Sequence, residues 1–422
     1  MDINVAIDTL WVLLGAILVF WMQAGFAMVE TGFTRAKNAG NIIMKNLIDF
    51  VFGSIIYWIL GFGIMFGANK LGGFIGLPTF FADGTAENAA TGINSYAFLF
   101  FQTVFCATAA TIVSGAMAER TKFISYCIYS AIISAVIYPI AGHWIWGGGW
   151  LANLGFHDFA GSTAVHSIGG WCALVGAIIL GPRIGKYTKD GKSNAILGHS
   201  LTLGALGVFI LWMGWFGFNP ASSLSITGEG ALELTSRVFI TTNLAACAAA
   251  ATTMVFTWIR YGKPDVSMTL NGVLGGLVAI TAGCDVVTPV GALAIGVIAG
   301  IVMTMGIEIV DKKFKIDDPV GAVGVHCICG VTGTLLTGVF GAYGEGTIGI
   351  LYGGGFGFFG VQCLGVLAVA AWSIGCALIL FNVIKATVGL RVTREEEIRG
   401  LDIEEHGLES SYADFQNVDI NL

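Results

Sequence analysis

The stretch Asp158-Phe159-Ala160-Gly161-Ser162-Thr163-Ala164-Val165-His166 has a counterpart in Asp318-Pro319-Val320-Gly321-Ala322-Val323-Gly324-Val325-His326. In both stretches an aspartate begins an apolar segment and a histidine follows eight residues later. A glycine lies four residues beyond each histidine, at Gly170 and Gly330. The two histidines therefore lie at matching depth in two segments of membrane-spanning length, which predicts an internal repeat.

The composition indicates a polytopic, all-α membrane protein. Of 422 residues, 55% are hydrophobic and only 11% are charged, whereas soluble domains carry about 25% charged residues. The 61 glycines are typical of closely packed transmembrane helices. The net charge of -7 says little about partners, and nothing in the sequence is basic enough to indicate a nucleic-acid partner. The nine cysteines lie in or beside apolar segments without a CxxC motif, which favours buried thiols over a disulfide framework or a zinc site.

Apolar runs of about twenty residues, each long enough to cross a bilayer, predict eleven transmembrane helices. We place them at 9–29, 47–67, 96–117, 124–141, 162–181, 197–220, 237–258, 270–285, 290–310, 319–341 and 352–386. This divides the chain into a membrane domain, 1–390, and a cytoplasmic C-terminal tail, 391–422. The first run has no positively charged segment before it, so we interpret it as a retained helix and not as a signal peptide.

The distribution of lysine and arginine gives the expected orientation. All 20 of these residues except Lys70 and Arg237 fall in the tail or on one set of connections, and the positive-inside rule assigns that side to the cytoplasm. The N-terminus is then outside and the C-terminus inside, which requires an odd number of spans. Helices one to five and six to ten form two halves of opposite orientation. A two-fold axis in the membrane plane would bring helices five and ten together, so that His166 and His326 meet.

Histidines within a membrane span are rare and usually functional. A low dielectric favours neutral imidazoles, and two neutral rings in contact share one proton and offer a further donor and acceptor. A metal site is the rival interpretation, but no third ligand shares their depth. A purely structural hydrogen bond to a neighbouring helix is the simplest alternative.

Other polar and aromatic residues of the sequence are candidates for a site near this pair. Asp158 is a good helix cap, and a carboxylate near an entrance also stabilises an arriving cation; Asp318 is interpreted as a cap at the opposite membrane face. Aromatic residues at 101, 105, 146, 215 and 218 are individually typical of packing or interfacial anchoring. Together with Ser222 they are able to form a cation-binding vestibule, since ring faces attract small cations and a hydroxyl accepts a hydrogen bond.

These motifs resemble the ammonium transporter/methylammonium permease/Rhesus (Amt/Mep/Rh) family, and specifically its Amt branch. Besides the segment ending at His166, the similarity rests on five motifs and a tail segment. They are Arg35-Ala36-Lys37-Asn38, Gly115-Ala116-Met117-Ala118-Glu119-Arg120, Trp146-Gly147-Gly148-Gly149, Gly214-Trp215-Phe216-Gly217-Phe218-Asn219, Asp317-Asp318-Pro319 and Thr393-Arg394-Glu395-Glu396-Glu397. Ser162 and Pro220 stand where the family more often has Gly and Ala.

The resemblance implies a homotrimer with one pore per subunit and no cofactor. It implies an outer ammonium site formed by Trp146, Phe105 and Ser222, with Asp158 below it. The stacked rings of Phe105 and Phe218 would close the vestibule, and Phe101 and Trp215 would lie beside the pore. His166 and His326 would be the twin-His dyad lining that pore.

The resemblance implies ammonium transport in a cell inner (plasma) membrane, as a step of nitrogen metabolism, with methylammonium as a second substrate. Ammonium would lose a proton at the pore entrance and cross as ammonia, which potassium cannot imitate. One alternative is a membrane ammonium sensor that signals through the tail. Another is a membrane enzyme with a metal on the histidines. The family also implies a PII-type regulatory protein that docks on the cytoplasmic face.

Overall fold

The computed structural model describes residues 2–412 as a bundle of long helices. Ten helical segments are long and apolar enough to cross a membrane. They are α1 (Ile3–Phe33), α2 (Ala36–Phe66), α3 (Ser95–Ala116), α4 (Phe123–Asn153), α5 (Ser162–Leu180), α6 (Leu201–Ser223), α7 (Ala231–Tyr261), α9 (Pro289–Lys313), α10 (Val323–Phe340) and α11 (Gly357–Thr387). The shorter apolar helix α8 (Val266–Ile280) lies between α7 and α9. The expected helical membrane fold is confirmed, while the count of eleven crossings and their orientation stay predictions.

The eighth helix begins and ends before its expected bounds of 270–285. It begins at Val266 because the Asp265 carboxylate accepts a hydrogen bond from Met268 N at 2.9 Å. It ends at Ile280 because residues 281–286 form a chain of turns. These turns place Thr281 and Asp285 beside the site described below.

Short elements occupy the connections and the tail. A two-residue antiparallel hairpin pairs β1 (Asn69–Lys70) with β2 (Ile75–Gly76), and a 3₁₀ turn spans Ile350–Tyr352. The tail forms α12 (Arg394–Arg399) and α13 (Leu401–His406). A capping box between Thr393 and Glu396 starts α12. A Thr followed three residues later by a Glu is the sequence pattern of this motif. The predicted tail extends to residue 422, so its last part lies outside the described residues.

Helices α5 and α10 begin with the same local structure, as the repeated sequence predicts. Each opens with a π-helical turn, Ser162–Ser167 in α5 and Val323–Ile328 in α10. Each turn is preceded by a glycine with positive φ, 115° at Gly161 and 81° at Gly321, a conformation that glycine adopts without steric cost. His166 and His326 both lie within these π-helical turns. Such turns are frequent at functional sites.

The two helices approach each other through a reciprocal pair of glycines. A Cβ added to Gly170 would lie 2.4 Å from Cys327 N, and one added to Gly330 would lie 2.5 Å from Ser162 O. Any larger residue at either position would therefore strike backbone of the partner helix. This close approach places the two histidines, each four residues before its glycine, at the centre of the bundle.

Candidate functional site

An aromatic vestibule opens at one end of the bundle. It is a cavity of about 360 Å³ whose walls include four of the predicted site residues. Its lining is Phe66, Asn88, Ala90, Phe98, Phe101, Gln102, Phe105, Ile145, Trp146, Phe159, Ser222 and Leu224. Helices α2, α3, α4 and α6 all contribute. The sequence did not single out Phe66, Asn88 and Gln102 because they lie in different parts of the chain and in none of the motifs. Phe159 lies in the Asp158–His166 motif but was not assigned a role from it.

The polar atoms of the vestibule are held in fixed orientations. Trp146 Nε1 donates to Asp158 O at 2.7 Å, which holds the indole beside Phe105, with ring centroids 6.0 Å apart. Ser222 Oγ donates its proton to Phe218 O at 2.8 Å. Since a hydroxyl has one proton and two lone pairs, the Ser222 oxygen is left as an acceptor.

Two stacked phenyl rings separate the vestibule from the histidines. The centroids of Phe105 and Phe218 lie 4.1 Å apart with an interplanar angle of 28°. On the far side of this stack, His166 lies 5.4 Å from Phe218, again nearly parallel. Phe101 packs on Phe105 with centroids 4.7 Å apart. The rings therefore form a continuous column that leads from the vestibule to the first imidazole.

The two histidines meet as the repeat predicts. His326 Nδ1 and His166 Nδ1 lie 3.2 Å apart, and the rings are 17° from parallel. Neutral imidazole carries one N–H, so one Nδ1 donates and the other accepts. The ring that donates through Nδ1 then presents an Nε2 lone pair, and the other presents an Nε2–H. His166 Nε2 has no hydrogen-bond partner among the described residues.

Trp215 and Thr281 hold the first imidazole in place. The Trp215 indole stacks on His166 with centroids 5.1 Å apart. Its Nε1 donates to Thr281 Oγ1 at 2.9 Å. Thr281 was not among the residues singled out from the sequence, because it lies in the turns that follow α8 and belongs to no motif. A buried indole N–H needs a hydrogen-bond acceptor. From the sequence alone, this requirement predicts that Trp215 has an acceptor but does not identify Thr281 as that acceptor.

Asp158 is a buried helix cap in the structure and is not among the residues that line the vestibule. Its carboxylate accepts four backbone N–H bonds of 2.7–2.9 Å, from the residues 161–164. Burial raises the pKa of this carboxyl, and the backbone N–H groups act in the opposite direction. Asp158 therefore fixes the start of α5 and, through its carbonyl, the Trp146 ring. Asp318 accepts from Gly321 N and Val323 N at the start of α10.

A second, much smaller cavity lies on the other side of the dyad, and we call it the distal cavity. Its volume is about 30 Å³, and its walls include Phe26, Glu30, Thr111, Asn271 and His326. That space holds about one water-sized molecule. The vestibule, the ring stack, the dyad and the distal cavity thus follow one another through the bundle. Within residues 2–412, no group of three or more His, Cys, Asp or Glu side chains is placed to hold a metal ion.

The sequence and the fold have close relatives. A sequence model of the Ammonium Transporter Family matches residues 10–412. Ammonium transporter Amt2 of Archaeoglobus fulgidus is 48% identical over 419 residues, covering 95% of this chain and 87% of that protein.

Solved structures agree with this assignment. The structure described as "Sensor Amt Protein" superposes with a TM-score of 0.90 at 44% identity, covering 96% of this chain and 99% of that one. Candida albicans Mep2 superposes with a TM-score of 0.84 at 26% identity, covering 93% of this chain and 87% of that one. The vestibule, the dyad and the bundle around them thus occur in a chain that belongs to the ammonium transporter family.

Proposed function

We propose that this protein is an ammonium transporter that recruits NH4⁺ in the vestibule, deprotonates it and conducts NH3 past the His166–His326 dyad. The observation that carries this proposal is the continuous column of rings from the vestibule to a buried imidazole whose Nε2 has no partner. A buried polar nitrogen without a partner is costly, and a passing ammonia would satisfy it.

Recruitment takes place between Trp146, Phe105 and Ser222. The faces of the two rings attract the cation, and the free lone pairs of Ser222 Oγ accept one ammonium N–H. Gln102 also lines this cavity and has a side-chain oxygen without a partner among the described residues. Asp158 supports recruitment indirectly, by holding Trp146 through its carbonyl.

Selectivity arises at the ring stack and the dyad. Ammonium and potassium are similar in size and charge, so the vestibule alone separates them poorly. A bare ion in an apolar passage is penalised by many kcal/mol. Ammonium avoids that penalty because it gives up a proton and continues as neutral ammonia, which donates to one Nε2 of the dyad and accepts from the other. Potassium has no equivalent route.

Flux into proteoliposomes tests this function. An ammonium gradient should produce transport in wild-type vesicles, and an equal potassium gradient should produce none. His166→Ala and His326→Ala should each reduce ammonium transport strongly. Cys376→Ala should leave it close to wild type, because Cys376 is a partly buried residue of α11 that is not among those lining the vestibule or the distal cavity. Wild-type transport that survives both histidine substitutions contradicts the role of the dyad.

A membrane ammonium sensor that signals through the tail is the second candidate. The likeness to the structure named "Sensor Amt Protein" favours it. Ammonium that binds to purified protein, with no flux in the same vesicles, would support the sensor and exclude the transporter.

The proposal also covers the membrane topology and the assembly of the protein. We propose eleven crossings in a cell inner (plasma) membrane, with the N-terminus outside, and a homotrimeric assembly. The charge distribution supports the orientation. The tail supports cytoplasmic regulation, including by a PII-type protein, because it is bound to the start of α2 on the lysine-rich side: Lys37 Nζ donates to Glu397 O at 2.7 Å, and Asp402 accepts from Asn41 N at 2.8 Å.

A further inference from the structure

We propose that Glu30 is a proton-transfer residue of the transport cycle: its carboxylate receives the proton that leaves the dyad and returns it to ammonia in the distal cavity. The inference rests on the proposed transport function and deepens it, because it gives the separated proton a route. It assigns a role to a carboxylate that the sequence motifs did not single out.

The first observation is the position of Glu30. It lines the distal cavity together with His326. Among the described residues that line this cavity, these two are the titratable ones; the other polar side chains are Thr111 and Asn271. A cavity of about 30 Å³ admits one water or one ammonia at a time. Whichever molecule occupies it has both His326 and Glu30 among its neighbouring residues.

The second observation is the environment of the carboxylate. Glu30 Oε1 lies 3.0 Å from Lys45 Nζ, and the two side chains are 5% and 1% exposed. Ser114 Oγ lies 2.8 Å from both carboxylate oxygens, and Asn46 Nδ2 donates to Oε2 at 3.0 Å. The ion-pair partner of Glu30 is thus Lys45, which itself lies 5.4 Å from the centre of the Tyr126 ring. The buried carboxylate of Asp49, which accepts from Thr111 Oγ1 at 2.6 Å, also interacts electrostatically with Glu30.

The third point concerns why an ion pair is found there. Buried ion pairs contribute little to stability compared with apolar residues of the same volume. Ionisable side chains inside a membrane protein are expensive and mark ion or proton pathways. Lys45 pairs with the carboxylate, and Ser114 and Asn46 hold its orientation beside the distal cavity, where it is positioned to accept a proton and to release it again.

The transfer balances in two steps. The protonated dyad gives one N–H proton to the water in the distal cavity, and that water passes one of its own protons to Glu30, forming the carboxylic acid and leaving the dyad neutral. Ammonia then replaces the water and takes the proton from the acid, which forms the fourth N–H bond of ammonium and restores the carboxylate. One N–H bond breaks at the vestibule and one forms here, so the cycle moves one NH4⁺.

The test separates proton transfer from structural pairing. Glu30→Gln alone would leave Lys45 as a buried charge without a partner, which destabilises the protein. The informative variant is therefore the double substitution Glu30→Gln with Lys45→Met, which removes both charges and preserves volume. Folding is checked by thermal unfolding in detergent. Transport is measured as the ammonium-evoked current of proteoliposomes on a solid-supported membrane.

We expect the double variant to unfold at nearly the wild-type temperature and to lose about 100-fold in current, the range in which a general acid–base group contributes. Glu308→Gln is the matched control. Glu308 is a mostly buried carboxylate in an ion pair with Lys312 at 2.8 Å, it is not among the residues that line the distal cavity, and its current should stay close to wild type.

The outcomes distinguish this proposal from the transport function itself. A double variant that folds and carries wild-type current contradicts the role of Glu30 and leaves ammonium transport intact. Wild-type vesicles that take up ammonia without any current also contradict it, because no proton then crosses. Wild-type vesicles with no ammonium flux at all contradict the transport function.

Discussion

At the scale of single residues, the site depends on groups that hold the functional side chains and contact no substrate. Thr281 is the clearest of these, because its hydroxyl is the acceptor for the Trp215 indole that stacks on His166. Asp158 has a similar part, since its carbonyl holds Trp146.

Replacement of Thr281 by valine should therefore weaken both folding and transport. The Trp215 N–H would be left buried without a partner, which costs about 1–3 kcal/mol, and the indole would be free to turn away from His166. We expect a lower unfolding temperature and reduced ammonium flux in proteoliposomes. Thr281→Ser keeps the hydroxyl and should behave like wild type; equal flux through the valine and serine variants contradicts this role.

The His157–Asp285 pair should make stability depend on pH. Burial acts to lower the pKa of His157, but the Asp285 carboxylate at 3.0 Å from Nε2, with a further contribution from Asp158, raises it above the usual 6.5. Because the folded-state pKa is raised, the pair stabilises the protein fully below about pH 6.5, and this contribution is lost as the pH rises through the folded-state value.

Unfolding temperatures measured in detergent from pH 5.5 to pH 9 on a common buffer series would check this. The wild-type protein should lose stability across the upper part of that range, and His157→Gln should remove most of the difference. An identical pH profile for the two proteins contradicts the assignment.

At the scale of helices, the contact of α5 with α10 determines the geometry of the dyad. The reciprocal glycines allow backbone to touch backbone, and the imidazoles one turn away meet at 3.2 Å. The paired aspartate caps and π-turns begin both helices in the same way, so the repeat in the sequence is expressed as a repeat in local structure.

Gly170→Ala should disrupt this contact. The added Cβ would lie 2.4 Å from Cys327 N and 2.6 Å from its Cα, both backbone atoms that cannot move away locally. We expect a lower unfolding temperature and reduced ammonium flux, since the helices must separate. Gly375→Ala in α11 is the control: its Cβ would meet nothing within 4 Å, and alanine favours helix by up to about 1 kcal/mol. A Gly170→Ala protein that is indistinguishable from wild type contradicts the argument.

At the scale of the whole molecule, one buried cluster of charges connects distant parts of the chain. Arg183, just beyond α5, contacts Glu119 at 3.0 Å and Asp317 at 2.9 Å, and Glu119 also pairs with Arg35. Burial acts to raise the pKa of Asp317, but the hydrogen bonds from Arg183 and the charge of Arg120 lower it to about 2. The segments that follow α1, α3 and α5 and the one that precedes α10 are thus held together at one end of the bundle.

Arg183→Met should destabilise the whole protein. It removes the guanidinium that is hydrogen-bonded to the buried Asp317 carboxylate, and breaking a buried pair in this way costs about 3–5 kcal/mol. We expect a clearly lower unfolding temperature in detergent. Arg399→Met removes an ion pair in which the arginine is 61% exposed, and surface pairs contribute only about 0–1 kcal/mol. Equal losses in the two variants would contradict the central role of Arg183.

The sequence by itself determined the helical membrane fold, because apolar runs of spanning length have few alternatives in a bilayer. It also determined that His166 and His326 converge, since identical spacing in two halves implies a symmetric partner for each. Trp146, Trp215 and Phe218 could be named from the sequence because they lie in local motifs, whereas Phe101 and Phe105 were recognised from their spacing of four residues on one helix.

The tertiary structure alone decided which residues surround those motifs. Thr281 becomes the partner of Trp215 only because the turns after α8 pass beside α6, and Glu30 and His326 line the same cavity only because the tertiary fold brings parts of α1 and α10 to that space. Asp158 was expected near an arriving cation, but its four backbone hydrogen bonds occupy the carboxylate fully. Contacts of this kind join residues far apart in the chain, and no local pattern records them, because they depend on how helices pack and not on the order of residues within any one helix.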